Sequence, residues 1–178
     1  MKGFTISELC VSLAVVSTLT VLSLPAFSQW LESSRYRQGA RDIVNAMRLA
    51  RSHAINKTRE VEVDFDLDTN RYRLMVGDLA YGSTVWEELV EWSPLPDKVQ
   101  LAVTKGCTKI GDGDPTTKHI DTIQFNPNGT CGASGSMAAY YICIMTSDMQ
   151  PRYAGAVLST TTGRATVRTW DPESEEWD

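Results

Sequence analysis

Four cysteines and two histidines are the side chains best suited to metal or redox chemistry in this chain of 178 residues. Zinc sites usually use pairs of cysteines two residues apart, together with nearby histidines. This sequence contains no such cysteine pair, and His53 and His119 both lie far from any grouping of cysteines. We therefore predict no metal site.

The cysteines fall into two groups. Cys10 lies in an apolar stretch and is expected to stay a reduced thiol, whereas Cys107, Cys131 and Cys143 lie in the distal half. Three distal cysteines fit an oxidising compartment with one disulfide and one leftover thiol, and the sequence leaves all three pairings open. We favour Cys107 with Cys131, because both lie among glycines in loop-like sequence where two backbones can approach.

Calcium binding and catalysis are the other chemistries that the side chains could support. Asp66, Asp68 and Asn70 resemble the first half of a calcium loop, but Arg71 occupies the position that needs glycine. We interpret this segment as a hairpin turn. The sequence has no nucleophile elbow, phosphate-binding loop or H-E-x-x-H motif. It therefore predicts neither an enzyme nor a cofactor.

An uncharged run covers residues 9–31 and directly follows Glu8. As a helix it would be about 34 Å long, which is enough to span a hydrocarbon core of about 30 Å. A secretory signal peptide is disfavoured, because the basic region is only Met1–Gly3 and no convincing cleavage site follows. An ordinary membrane anchor does not explain why the Glu8 carboxylate begins the span, since a charge in lipid costs about 3 kcal/mol.

The segment Gly3-Phe4-Thr5-Ile6-Ser7-Glu8 resembles the prepilin peptidase site of type IV pilins and type II secretion pseudopilins. The resemblance implies cleavage after Gly3 and N-methylation of Phe4. It also implies that Glu8 acts in assembly by meeting the N-terminal amine of a neighbouring subunit. Pro25 stands where pilins often carry a helix-kinking proline.

Location and partners follow from the same resemblance. It implies a bacterial inner-membrane protein with a single span, with its C-terminal domain in the periplasm. Lys2 would remain on the cytoplasmic side, as the positive-inside rule expects. The implied partners are prepilin peptidase, the inner membrane, and the other pilin or pseudopilin subunits of a filament.

An amphipathic pattern continues from the uncharged run. Apolar residues recur at helical spacing at Tyr36, Ala40, Ile43, Val44, Met47, Ala50, Ala54 and Ile55. We predict one helix from about Thr5 to about Lys57. After a leader at residues 1–3, residues 4–31 would form its transmembrane half and residues 32–57 its amphipathic half. Pro25 is expected to kink or locally melt it.

Residues 58–178 are predicted to form a β-rich periplasmic domain. Alternating residues indicate a hairpin of strands 61–65 and 72–76. Further strands are predicted at residues 85–92, 99–104, 120–125, 138–145, 154–158 and 164–170. The acidic last eight residues predict a frayed tail. The predicted fold class is α+β, with the long N-terminal helix packed on an antiparallel β-sandwich-like domain.

Three distal motifs resemble one branch of the superfamily, the GspH/FimT pseudopilins and minor pilins. They lie at residues 49–55, 123–129 and 157–167. The resemblance implies a minor subunit that helps to initiate or cap a type IV pilus or a type II secretion pseudopilus. The residues do not separate these two filaments. We interpret Arg51 and His53 as an exposed helix end, and Gly129 and Gly163 as tight turns.

DNA binding for natural transformation is the alternative function. Some FimT-type minor pilins bind DNA through a C-terminal Gly-Arg-x-Arg element. Here Arg164 occupies the first arginine position, Thr166 replaces the second, and Arg168 follows. The net charge of −5 and the acids after Arg168 disfavour phosphate binding. Nucleic acid is therefore the less favoured partner.

Overall fold

The computed structural model describes residues 5–102, 120–132, 140–146, 148, 150–157, 162–174 and 176–178. The chain divides into two compact units, Met1–Ser34 and Arg35–Asp178. Helix α1, Ile6–Lys57, contributes residues to both and matches the predicted helix closely. The helical backbone is assigned without interruption through Pro25, so the predicted local melting does not occur there.

In the first unit, hydroxyl groups of α1 bond to the helix itself. Four of them donate to a carbonyl one turn earlier, at Ser12, Ser17, Thr18 and Thr20, as expected for serine and threonine inside a helix. These bonds include Ser12 Oγ to Glu8 O at 2.8 Å, Ser17 Oγ to Leu13 O at 2.7 Å and Thr20 Oγ1 to Val16 O at 2.8 Å. Within the described residues, no helix combines the length and apolarity needed to cross a membrane.

The described strands of the second unit form two antiparallel sheets. The strands are β1 Val61–Asp66, β2 Arg71–Gly77, β3 Trp86–Pro94, β4 Gln100–Ala102, β5 Ile120–Phe125, β6 Tyr140–Met145, β7 Pro151–Val157, β8 Ala165–Asp171 and β9 Glu176–Trp177. The first sheet has the order β3-β2-β1-β5, and the second has the order β4-β6-β7-β8-β9. The predicted α+β class, with a helix packed on antiparallel sheets, is confirmed.

The core forms where the second half of α1 meets these strands. Its buried face matches the predicted repeat at Tyr36, Ala40, Ile43, Val44, Met47, Ala50 and Ala54. Ile55 departs from it, because 43% of its surface is exposed. Strand residues complete the same cluster, among them Val63, Phe65, Ile123, Phe125 and Ile144. Burying each large side chain contributes about 1.5–3 kcal/mol relative to its exposed state.

Strand boundaries differ from the predictions in two informative places. β3 extends to Pro94, two residues beyond the predicted strand 85–92. It is an edge strand, where the missing N–H of proline is tolerated. The acidic tail does not fray, because β9 pairs with β8. Trp170 and Trp177 face each other across this pair with ring centroids 5.1 Å apart, so the aromatic contact supports the pairing.

The predicted hairpin turn is confirmed. β1 pairs with β2 from Val61↔Val76 to Asp66↔Arg71. Asp66 Oδ1 accepts hydrogen bonds from the backbone N–H groups of Asp68 and Thr69, both at 3.1 Å. The carboxylate therefore closes the turn itself. Among the described residues, no group of three His, Cys, Asp or Glu side chains could hold a metal ion.

The predicted Cys107–Cys131 disulfide is wrong. Cys131 is a free thiol, buried in the main core cluster beside Phe125. Burial raises the pKa of its thiol to about 12, which makes it unreactive at neutral pH. Cys143, in β6, is disulfide-bonded, and it lies in a different core cluster from Cys131. Cys107 lies outside the described residues, and Cys10 is a free, exposed thiol.

We predict that peptide mapping of the unreduced protein will join Cys143 to Cys107. The reason is that Cys10 and Cys131 are both free thiols, which leaves Cys107 as the remaining cysteine. Alkylation should modify Cys131 only after denaturation, because the thiol is buried. A cross-linked peptide that contains Cys131 would contradict this assignment.

Candidate functional site

The N-terminus of α1 carries a capping box built from Thr5 and Glu8. The Thr5 backbone N–H donates to Glu8 Oε2 at 2.9 Å, and the Glu8 N–H donates to Thr5 Oγ1 at 3.3 Å. The Thr5 hydroxyl donates a second bond to the carboxylate at 2.9 Å. The arrangement satisfies N–H groups that the first turn of a helix otherwise leaves unpaired. The Glu8 carboxylate thus has a local structural role.

Other residues predicted at this end lie beyond what the structure describes. Gly3 and Phe4 are outside the described residues. Pro25 is described only as part of the helical backbone. Cleavage after Gly3, methylation of Phe4 and a special role for Pro25 therefore remain predictions. What the structure contributes is the position of Glu8, which lies in the first turn of α1 and is exposed.

A second candidate region lies where α1 meets two turns of the β-rich unit. Arg51 Nε donates to the carbonyl oxygen of Gly129 at 3.0 Å. Gly129 has φ 82° in the turn after β5, and Gly163 has φ 56° in the turn before β8, so both glycine predictions are confirmed. A Cβ atom on Gly163 would lie 2.2 Å from Gly129 O and 3.2 Å from Arg51 Nε.

We call the contact of Arg51 with Gly129 and Gly163 the arginine joint. It brings together the three sequence motifs, at residues 49–55, 123–129 and 157–167. The prediction that Arg51 forms an exposed helix end is wrong, because its side chain is half-buried and bonded to the turn. A hydrogen bond from a charged donor contributes about 1.5–3 kcal/mol. The joint therefore holds the helix and two loops together.

The arginines of the proposed DNA element do not form one compact cluster. Arg164 is exposed and precedes β8, whereas Arg168 is half-buried within β8, opposite Ala154 of β7. Thr166, at the position where the element would have its second arginine, donates to Ala156 O at 3.5 Å. The backbone of β8, which contains Thr166 and Arg168, is that of an ordinary β-strand.

Additional charges near β8 have opposite signs. Arg48 of α1 reaches the carbonyl oxygen of Ala165 at 3.4 Å, which adds a cation beside Arg164. At the other end of β8, the Glu173 backbone N–H and the Ser174 hydroxyl donate to Asp171. These bonds, that from Glu173 first, hold the pKa of Asp171 below its usual range. The tail next to β8 therefore keeps its negative charge.

The outer face of the first sheet carries a charge network. Arg73 Nε lies 3.0 Å from Asp64 Oδ2, and the Thr122 hydroxyl donates to Asp64 Oδ1 at 3.1 Å. The guanidinium groups of Arg73 and Arg71 lie 4.6 and 5.5 Å from the Trp92 ring centroid. Both arginines have partners within the sheet, so the network stabilises the pairing of its strands.

Glu62 lies on the same face and titrates unusually. Burial and the nearby charges of Asp64 and Glu60 together raise its pKa to about 7, and Arg73 opposes the shift. The fold thus favours the protonated form, and the stability that this form provides is lost as the pH rises toward 7.

Comparison with known proteins identifies the architecture. A family model described as "Type II transport protein GspH" matches residues 39–163. Escherichia coli GspH has a similar structure, with a TM-score of 0.52 at 14% identity over 79% of this chain and 92% of its own. The Vibrio cholerae minor pseudopilin EpsH gives 0.51 at 12% identity over 75% and 94%. At these identities, the likeness shows the fold alone.

Two further findings complete the comparison. The Pseudomonas aeruginosa type IV minor pilin FimU gives a TM-score of 0.48 at 13% identity, covering 84% of this chain and 96% of its own. No curated protein sequence matches the chain at a significant level.

Two glycines with positive φ allow the arginine joint to be tested. Gly163→Ala should lower the free energy of unfolding by about 2–4 kcal/mol, since the methyl group meets Gly129 O and the backbone is left-handed. Gly82→Ala is the matched control, because Gly82 has φ 71° but nothing within 4 Å of a Cβ atom. It should lose only about 1 kcal/mol. Denaturant unfolding of the full chain measures both, and equal losses would contradict the role given to the contact.

Proposed function

The chain belongs to the GspH family of type II transport proteins, and on that basis we propose that it is a minor pseudopilin or minor pilin. In this role it works by assembling with other subunits rather than by catalysis, and it helps to initiate or cap the filament. The family description favours a type II secretion pseudopilus over a type IV pilus. The observation that carries the proposal is that Glu8 is the only charged residue from Phe4 to Leu31.

Membrane insertion of residues 4–31 is part of the proposal. Residues 9–31 lack charged side chains, and the hydroxyl groups of Ser12, Ser17, Thr18 and Thr20 bond to backbone carbonyls of the helix. Internal bonding of this kind lowers the cost of placing hydroxyl groups in lipid. The disulfide-bonded state of Cys143 supports an oxidising compartment for the distal unit, as in the periplasm.

Processing and docking would act together at the start of α1. Removal of residues 1–3 by prepilin peptidase would free the amine of Phe4, and a methyl donor would then supply its methyl group. A neighbouring subunit's amine could then pair with the Glu8 carboxylate, which is costly to leave unpaired in lipid. In the isolated chain, Thr5 N–H already occupies one oxygen of this carboxylate. Docking would therefore either replace the hydrogen bond from Thr5 N–H or leave Glu8 bonded to both groups.

The capping box allows an experiment that separates charge from helix capping. Glutamine can replace glutamate in a capping box but carries no charge, whereas alanine provides neither the cap nor the charge. If charge pairing drives assembly, Glu8→Gln and Glu8→Ala should both reduce filament incorporation about tenfold or more, the factor that corresponds to about 1.4 kcal/mol. Incorporation is measured by immunoblotting of isolated filaments from cells that express the other subunits.

Intact-mass measurement supplies the control for this experiment. Wild type and both variants should lack residues 1–3 and carry one added methyl group, so that reduced incorporation cannot be ascribed to failed processing. Normal incorporation of Glu8→Gln together with loss in Glu8→Ala would assign the residue to capping instead. Retention of Met1 in the mature wild-type protein would refute the proposed class of subunit.

DNA uptake is a second candidate because Arg164 is exposed and the guanidinium of Arg48 lies beside the same backbone segment. We nevertheless propose that duplex DNA binds weakly, since the nearby tail keeps Asp171 ionised and Arg168 is half-buried.

A salt titration of the full chain in detergent tests this ranking. Truncation of residues 171–178 would remove β9, so a milder control neutralises the tail with Glu173→Gln and Glu175→Gln. Fluorescence anisotropy with a labelled duplex should show little binding by either form. Micromolar binding that falls steeply with salt and is lost in Arg164→Ala would instead favour the DNA function.

A further inference from the structure

A cleft lies beside the C-terminal end of α1 and uses no residue of the proposed assembly or DNA sites. Its volume is about 390 Å³, and it is lined by His53, Lys57, Arg59, Val76 and Leu89. Val76 and Leu89 are half-buried side chains of β2 and β3 that pack against the main core. The cleft therefore has apolar walls and three basic groups, and its volume lies within the range of protein ligand sites, about 300–1,000 Å³.

The end of the helix explains how the basic groups come together. His53 and Lys57 are four residues apart in α1 and so share one face of the helix. Thr58 then takes the left-handed conformation, with φ 55°, and the Arg59 N–H donates back to Ala54 O at 3.3 Å. This reversal brings Arg59 back against the helix end. A β-branched residue rarely adopts this conformation, so the placement of Arg59 is maintained against local strain.

The charges of the cleft are largely uncompensated. Within the part of the chain that the structure describes, the side chains of His53, Lys57 and Arg59 form no hydrogen bond or ion pair. Glu87 is the acid nearest in sheet register, opposite Val76, and it too forms no ion pair among the described residues. The helix C-terminus attracts a cation in its last turn. That attraction accounts for Lys57 but not for an apolar recess beside it.

We propose that this cleft binds a polypeptide segment of a protein partner in which carboxylates flank a large apolar side chain. The apolar side chain would contact Val76 and Leu89, and the carboxylates would meet Lys57 and Arg59. A peptide suits the site better than a compact anion, because the basic groups are distributed around an apolar surface instead of converging on one point. The site depends on neither leader cleavage nor filament assembly, so it can be tested independently of both.

The probe is a labelled synthetic octapeptide with the sequence of residues 171–178, which combines five acids with a tryptophan. Its anisotropy is followed with the full chain in detergent micelles. Lys57→Gln and Arg59→Gln should each weaken binding about threefold to fivefold, the effect of one partly exposed ion pair. Glu87→Gln should strengthen binding about twofold, because it removes a repelling charge from the position opposite Val76. A peptide with alanine in place of tryptophan should bind about tenfold more weakly.

Arg37→Gln is the matched control, since Arg37 is an exposed base elsewhere on α1 and should not affect the affinity. Thermal unfolding checks that every variant is folded. Equal weakening by Arg37→Gln, or no weakening by Lys57→Gln and Arg59→Gln, would overturn the proposal. So would binding of phosphate or decanoate at the cleft without binding of the peptide. Self-association of the chain that Lys57→Gln abolishes would identify a second copy as the occupant and also reject a separate partner.

Discussion

The second unit depends on the burial of one apolar stripe of α1 against strands of both sheets. Much of the stripe consists of small residues, with alanines at positions 40, 46, 50 and 54 all buried. Small side chains let backbones approach closely, and at Gly155 of β7 a Cβ atom would come within 2.7 Å of Ile43 Cγ2. The sheets thus take their position from the helix, and larger residues along this line would separate them.

The arginine joint shows why three segments far apart in sequence have the residue types that they have. Arg51 is long enough to reach beyond the apolar stripe, and its guanidinium bonds to a backbone carbonyl instead of an acid. The two glycines keep Cβ atoms out of the space around that bond. Motifs that carry the family resemblance therefore describe a structural junction, and the sequence alone predicted its turns but not the contact that joins them.

Periodicity predicted the helix, the first hairpin and the fold class, since each depends on local pattern. It placed Ile55 in the core, but the helix ends two residues later and the sheets no longer cover this position. The disulfide and β9 were predicted wrongly, because both depend on contacts between distant residues. Cys131 is buried beside Phe125, and Trp177 finds Trp170 across the strand pair. The basic cleft was not predicted either, since Val76 and Leu89 reach α1 only in the folded chain.

The capping box has a consequence for how reversible any contact at Glu8 can be. Its carboxylate is already bonded to Thr5 before a partner arrives, so a newly arriving cation replaces or supplements bonds that exist. The net free energy is then a difference between two similar terms, smaller than the strength of either contact suggests. If such a partner left, the carboxylate would regain its hydrogen bonds to Thr5, although its charge would again lack a counter-ion. The capping box would therefore lower the barrier to separation without removing the advantage of pairing.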